Sequence, residues 1–320
     1  MDILISGGSG FLGSALSQWL YEKQGGEVSI TWLSRDNTQS HPSYINMMSY
    51  EELSETLLSF DVVINLAGAG IADKRWSETR KRELFDSRVQ PTQSVLDYID
   101  RIEQKPKLLI SGSAIGWYGA QGDKPLDESS QHYSKQANPQ TFKEDFAHQL
   151  CDSWEELAIS ATKMGVEVVL VRTGVVIHPE GGMLGRLITP FKMGAGGQIG
   201  DGKQIMSWIS REDWVRAVAF IIERHLSTEA HTSQLSNDSK PVSIYNLTSP
   251  NAVDNATFTK TLGDWLNRPT IMTMPAPVLK MMFGEMSTLL IDGQKVLPKA
   301  LLDAGFEFQH PDLAGALVNQ

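Results

Sequence analysis

A single cysteine, Cys151, stands in 320 residues, so no intramolecular disulfide can form and stability must come from a buried core. No uninterrupted apolar run approaches the roughly 18 residues of a membrane span. No cationic leader precedes the first strand pattern, because Met1-Asp2 runs straight into Ile3-Leu4-Ile5. Basic residues are outnumbered, 28 Lys and Arg against 38 Asp and Glu, and the net charge of −10 argues against nucleic acid or an anionic membrane as main partner. No histidine and carboxylate spacing suggests a metal, and no serine-hydrolase elbow occurs. These absences point to a soluble, cytoplasmic protein acting on a small molecule, with a homodimer as the commonest outcome if it associates.

What is present starts at residue 3. Ile3-Leu4-Ile5-Ser6 reads as a buried strand and feeds Gly7-Gly8-Ser9-Gly10-Phe11-Leu12-Gly13, after which Leu12, Leu16, Trp19 and Leu20 recur at helical spacing to about Gln24. Val28 to Leu33 supplies a second strand and completes a βαβ unit of the expected ~30 residues. The run 7–13 is therefore a dinucleotide phosphate site. Gly7 permits the tight turn, Gly10 lets backbone approach a pyrophosphate, and Gly13 lets the helix pack close to the strand. The second strand ends in Ser34-Arg35-Asp36. Arg35 can fork to a 2′-phosphate and Ser34 can donate to it, which selects NADP; in the alternative, Arg35 is a surface residue and Asp36 takes the ribose of NAD.

The chain alternates strand and helix patterns: strands at 2–6, 28–34, 61–66, 107–111, 167–172 and 243–247, with helices at 11–24, 50–59, 77–103, 142–164 and 211–226. Continuous apolar strands separated by helices predict an α/β fold, a doubly wound parallel sheet of Rossmann type with a smaller C-terminal lobe. Residues 1–230 form the dinucleotide-binding domain and 250–320 a small C-terminal domain, with 181–210 in the substrate lobe and strand 243–247 returning to the sheet. Ligands of such sheets lie beyond the carboxyl ends of the strands. Leu66-Ala67-Gly68 and Ser111-Gly112-Ser113 fall there, where backbone must come close to a cofactor. Eight glycines in 181–202 predict a loop or irregular hairpin, and 129–141 and 227–240 read as exposed polar loops. The methionines of 278–286 read as core filling, followed by a last helix near 294–304.

Taken in order, the glycine turn, Asn65-Leu66-Ala67-Gly68, Ser111-Gly112-Ser113 with Tyr118-Gly119, Arg172-Thr173-Gly174-Val175-Val176 and Trp208-Ile209-Ser210-Arg211-Glu212-Asp213 resemble the extended short-chain dehydrogenase/reductase superfamily. More narrowly, Ala72-Asp73-Lys74-Arg75-Trp76, Arg172 to Val176 and Gly293-Gln294-Lys295-Val296-Leu297-Pro298 resemble its atypical branch, the YfcH-like epimerase family protein group, which ends in a small domain of unknown function. The resemblance implies that Glu83, Arg88 and Val176 also approach the cofactor.

Ordinary members of that superfamily use a tyrosine acid or base, a lysine four residues later, a serine and an asparagine. None of the seven tyrosines here has lysine at the fourth following position. Phe146 and Leu150 stand at the dyad positions and Arg88 stands for the asparagine, leaving Ser113 as the one match. A phenylalanine cannot donate a proton. Tyr118, five residues past Ser113, could offer its phenol to a substrate; otherwise it is a packing aromatic with its hydroxyl in solvent. His148 and Cys151 share a helix face without a visible orienting group and read as ordinary helix residues. The basic segment 74–83 reads mainly as a solvated helical face. Two functions are compatible with this pattern: an NADP(H)-dependent oxidoreductase or epimerase-like enzyme of unknown substrate, or a non-catalytic NADP(H)-binding sensor.

Overall fold

The computed structural model describes residues 1–35, 40–133, 145–227 and 240–318. Asp36 and most of the stretches 129–141 and 227–240 lie outside them. The chain begins β1 (Asp2–Ser6), α1 (Phe11–Lys23), β2 (Ser29–Ser34), β3 (Ile45–Ser49), α2 (Tyr50–Glu55), β4 (Val62–Asn65), α3 (Glu78–Arg101) and β5 (Leu108–Ala114). Next come β6 (Gly122–Leu126), α4 (Phe146–Ile159), β7 (Glu167–Thr173), β8 (Val175–His178), α5 (Gly182–Lys192), β9 (Gly197–Ile199), β10 (Ile205–Met206), β11 (Trp208–Ser210) and α6 (Arg211–Leu226). The remainder holds β12 (Val242–Leu247), β13 (Val253–Asp254), α7 (Asn255–Leu266), β14 (Met272–Met274), α8 (Ala276–Phe283), α9 (Thr288–Ile291), β15 (Gln294–Val296), α10 (Lys299–Asp303) and α11 (Leu313–Val318).

Seven strands form one sheet in the order β12-β7-β5-β4-β1-β2-β3, every neighbouring pair parallel. Because side chains alternate along a strand, Ile3 and Ile5 face Leu16, Leu20, Trp214 and Val218 of α1 and α6, while Leu4 faces the other way. There Val63, Leu109 and Val168 join it against Val95, Tyr98 and Ile99 of α3 and Ala158 of α4. Both faces are covered, as the apolar strands require. The strand order reverses between β1 and β4, and that crevice is where sheets of this kind take their ligands.

Several expectations are corrected. Strand β3 was not expected; it pairs with β2 and runs into α2, whose start is a capping box in which Ser49 Oγ accepts from Glu52 N (3.0 Å) and Glu52 accepts from Ser49 N (2.6 Å). α2 stops at Glu55 rather than 59. Segment 181–202 is not a loop throughout, because its glycines cluster at the ends and leave 186–193 free of them. α5 forms there and buries Leu184 and Phe191 with Trp208, Phe258 and Leu262, a tertiary gain that outweighs glycine's helix penalty. The expected helix at 294–304 divides: Gln294–Val296 pairs with β6, and only Lys299–Asp303 is helical, directly after Pro298. The methionine segment is only partly core filling, since Met286 is buried but Met281 and Met282 are 73% and 52% exposed. The 142–164 helix is regular over 146–159 and tightens to a 3-10 turn at Ser160–Met164.

Candidate functional site

At the carboxyl end of β1 the chain turns through Gly7 at φ +80°, where a Cβ would lie 2.9 Å from Ala67 N. The glycine turn and the segment after β4 thus meet backbone to backbone. A Cβ on Gly13 would sit 2.4 Å from Gly7 O, which is how α1 comes so close to the turn. Gly8 lies under the Trp32 ring, itself pinned by Nε1 donating to Ser17 Oγ (2.8 Å). Ser9 and Gly10 are exposed, and Phe11 and Leu12 are half-buried. Gly10 begins α1 in an extended conformation with no side-chain cap. The first-turn N–H groups and the positive end of the helix dipole are therefore left for an anion, so the turn fits a dinucleotide pyrophosphate.

Ser34 is half-buried at the end of β2, and Arg35 follows it as an exposed cation. Its charge reaches Tyr50 and Glu83. Burial raises the Tyr50 phenol, opposed by a hydrogen bond with Ser6 (3.0 Å) and then by Arg35. The Glu83 carboxyl is held low mainly by its hydrogen bond from Arg80, with a smaller contribution from Arg35.

Beyond β4, Leu66 and Ala67 are half-buried and Gly68 is exposed. A Cβ on Gly68 would lie 3.1 Å from the Arg88 guanidinium carbon. Arg88 donates to Leu84 O (3.0 Å) and Ala69 O (3.2 Å) and lies over the Trp154 ring, so it braces this segment from behind. Ser111 and Gly112 are buried at the end of β5, and a Cβ on Gly112 would meet Trp154 at 2.7 Å. Val176 is half-buried in β8, beside Ile209 of β11. Gly181, at the start of α5, rests against Phe11.

Ser113 is 5% exposed, and its hydroxyl donates to Glu155 Oε1 (2.5 Å). Glu155 is held in turn by two bonds from Arg172, Nε to Oε1 (2.8 Å) and Nη2 to Oε2 (2.7 Å). The Arg172 guanidinium lies 3.5 Å from the Trp117 ring centre. Tyr118 is fully buried and its phenol donates to Asn246 Oδ1 (2.9 Å). The hydroxyl is thus not in solvent, because β12 supplies an internal acceptor; burial raises its pKa, against the Arg172 charge.

Phe146 and Leu150 are buried with Trp76, Leu84 and Met286, the Trp76 and Phe146 rings meeting edge to face at 4.9 Å. Phe146 also lines a cavity of about 340 Å³ with Phe85, Lys81 and Arg82. The positions that the resemblance assigns to the dyad are thus held by buried apolar side chains. His148 Nδ1 bonds Trp117 O (2.6 Å), and burial pushes the Cys151 thiol up to about 12. The two make no nucleophile and base pair.

The basic segment 74–83 is mostly exposed, as a solvated face requires, with Trp76 and Arg80 buried and Lys81 half-buried. Arg80 is 5% exposed, donating to Gly70 O (2.6 Å) and pairing with Glu83 (2.6 Å), and Lys81 pairs with Glu285 (2.6 Å). Arg186 of α5 bonds Ala72 O and Asp73 on the segment after β4. Glu155 belongs to no motif of the sequence, and Arg172 enters there only as the first residue of the run Arg172 to Val176. The signal was available: Ala147, Cys151 and Glu155 recur every four residues on the buried stripe of α4, and Arg172 interrupts the apolar run of β7. Among the described residues no group of three or more His, Cys, Asp or Glu is placed to hold a metal, and no helix is long and apolar enough to cross a membrane.

Residues 3–234 match the NAD dependent epimerase/dehydratase family and residues 274–320 match a domain of unknown function, DUF1731. Epimerase family protein Mb2239 of Mycobacterium bovis is 37% identical over 316 residues, spanning 98% of this chain and 96% of that protein. Epimerase family protein YfhF of Bacillus subtilis is 35% identical over 319 residues, spanning 99% and 97%. Among solved structures, human epimerase family protein SDR39U1 (isoform 2) with NADPH superposes with a TM-score of 0.84 at 29% identity, covering 100% of this chain and 98% of that one. The match over residues 3–234 and these full-length relatives place this chain in the NAD dependent epimerase/dehydratase family, with DUF1731 as its C-terminal segment.

Proposed function

We propose that this chain is a cytoplasmic NADP(H)-binding protein that performs oxidoreductase or epimerase-like chemistry on a small molecule. The observation that carries the reading is the exposed Arg35 just after β2, the strand paired with β1 ahead of a glycine turn whose helix has no side-chain cap. Gly7 to Gly13 would hold the pyrophosphate, Ser34 and Arg35 the 2′-phosphate, and Leu66 to Gly68, Ser111, Gly112 and Val176 the walls of the cleft. Arg88 and Glu83 brace and border it. The human relative solved with NADPH supports the choice of NADP. When bound, the nicotinamide would supply or accept a hydride, and Ser113 would contact the reacting oxygen.

Fluorescence titration with NADPH and NADH tests the cofactor assignment. NADPH should bind more tightly, and Arg35→Ala should weaken it by about 10-fold or more while leaving NADH unchanged, as expected when a charge-assisted fork is lost. Equal affinities, or no effect of Arg35→Ala, would reassign the site to NAD. Oxidation of NADPH across a panel of carbonyl compounds and nucleotide sugars tests the chemistry, with Ser113→Ala as control. Turnover with no member of the panel would sink the enzyme assignment.

A second reading, a sensor without turnover, draws support from the apolar dyad positions and from the Ser113 and Tyr118 hydroxyls being engaged inside the protein. It requires a partner whose capture differs among the apo, NADP+ and NADPH forms. Identical pull-downs from all three forms would remove it.

A further inference from the structure

Glu78, Lys81, Arg82 and Phe85 recur at the spacing of one helix face on α3, and Phe146 and Gln149 do the same on α4. The two faces, with Glu285 from the C-terminal segment, line the cavity of about 340 Å³. Its apolar corner is made by the Phe85 and Phe146 rings, whose centres lie 6.1 Å apart at a tilt of 57°. Around that corner stand two cations, Lys81 and Arg82, and two carboxylates, Glu78 and Glu285. Rings joined by a few convergent polar groups are the usual lining of a small-molecule site.

Lys81 is the fixed cation. Its ammonium lies 5.2 Å from the Phe146 ring centre and 3.6 Å from Glu78, and it donates to Glu285 Oε2 at 2.6 Å. The bond to Glu285 raises its pKa against burial, so the charge persists at neutral pH. Glu285 is held less firmly: its side chain is 46% exposed, and an ion pair so open to water is worth little. The turn that carries it is anchored separately, because Met286 is buried with Trp76, Leu84 and Phe146. The carboxylate can therefore swing into solvent while the turn stays in place. Its withdrawal leaves two cations against Glu78 alone, one uncompensated positive charge beside an apolar corner.

We propose that this cavity binds a small organic carboxylate with an apolar, ring-bearing body, and that Glu285 holds the carboxylate's place on Lys81 until such a ligand arrives. The body lies along Phe85 and Phe146. The ligand's carboxylate takes the Lys81 ammonium, which the Phe146 ring continues to face, with Arg82 and the Gln149 amide as further donors on the rim. The C-terminal segment thus carries a built-in competitor, and affinity is set by the difference between the two carboxylates. The site uses none of the residues assigned to the cofactor, so its test is independent of the NADP(H) reading.

Ligand-observed NMR on the full chain, with and without NADPH, tests the site, using hydrocinnamate and phenylbutyrate as probes and the matching amides and amines as controls. Both carboxylates should bind in either condition, about 10-fold or more tightly than their amides and amines, as expected when a charged partner is lost. Glu285→Gln removes the competitor and should tighten both carboxylates about 2- to 5-fold, the size of one exposed ion pair. Lys81→Met should abolish their binding. Because Lys81 also ties α3 to the C-terminal segment, Lys81→Arg, which keeps both charge and tie, should retain it. Preference for the amines would make Glu78 and Glu285 the recognising groups and overturn the inference. So would displacement of the carboxylates by NADPH, weaker or absent binding to Glu285→Gln, or wild-type affinity in Lys81→Met.

Discussion

A Cβ added at Gly13 would press on Gly7 O at 2.4 Å and on Gly8 Cα at 2.7 Å, and neither is the end of a flexible side chain. Gly13→Ala must therefore move α1 away from the glycine turn or distort the turn itself. We expect a stability loss of about 1–3 kcal/mol in urea unfolding, the usual cost of overpacking, together with weakened NADPH binding. Unchanged affinity would show that the close approach serves packing alone. Cys151 yields the second expectation at this scale. Its thiol has a folded pKa of about 12 against an ordinary value of 9.0, raised first by burial and then by the Glu155 charge. The folded chain holds this proton more tightly than the unfolded one, so its contribution to stability is complete below pH 9 and is lost as pH climbs toward 12. At pH 8 a disulfide reagent should modify Cys151 only as fast as the protein opens; rapid modification of the folded protein would contradict the assignment. The glycine turn was legible in sequence because its geometry is local. Ser113 was legible as a residue but its bond to Glu155 was not, because Glu155 is 42 positions away and Arg172 holds it from another strand.

α5 shows how composition can mislead over an element. Glycines 181, 182, 185, 194, 196, 197, 200 and 202 suggest a segment without a helix, yet most of them flank the stretch that folds. What fixes α5 is distant: Phe191 and Leu184 dock against α7 and β11, contacts that no local pattern announces. The consequence is functional, because the same helix brings Arg186 to Ala72 O and Asp73 on the segment after β4, while its start rests on Phe11. The glycine turn, the segment after β4 and α5 are thereby brought into contact. Arg186 is half-exposed, so the pair adds little to global stability. Arg186→Ala should change the urea midpoint hardly at all, yet speed NADPH dissociation about 3- to 10-fold in stopped-flow displacement, the rate factor expected for losing about one hydrogen bond between these segments. Dissociation at the wild-type rate would mean that the tie lies off the cofactor's exit path.

Across the whole molecule, the segment after residue 274 is built into the rest by buried polar bonds that sequence periodicity cannot show. Val296 N donates to Ser207 Oγ (2.8 Å), which donates on to Gln294 O (2.7 Å), and Glu128 accepts from both Asn246 N (2.9 Å) and Ala300 N (3.1 Å). Asp213, fully buried at the start of α6, accepts from Gln309 N and His310 N, each at 2.8 Å, and pairs with Arg216 (2.7 Å). Leu301 and Phe306 meanwhile fill the core beneath the sheet. Asp213→Ala would leave two N–H groups without their acceptor at a buried junction, and should lower stability by about 2–4 kcal/mol; Asp213→Asn, which keeps one acceptor oxygen, should lose less. Removal of residues 274–320 should go further, exposing Leu301, Phe306 and Val296 and the whole junction at once, so that the shortened chain aggregates instead of binding NADPH. The discriminating measurement is a urea titration followed by intrinsic fluorescence alongside NADPH binding. A shortened chain that unfolds cooperatively at the wild-type midpoint would show that the C-terminal segment decorates the sheet; loss of folding in both the truncation and Asp213→Ala would show that the sheet requires it.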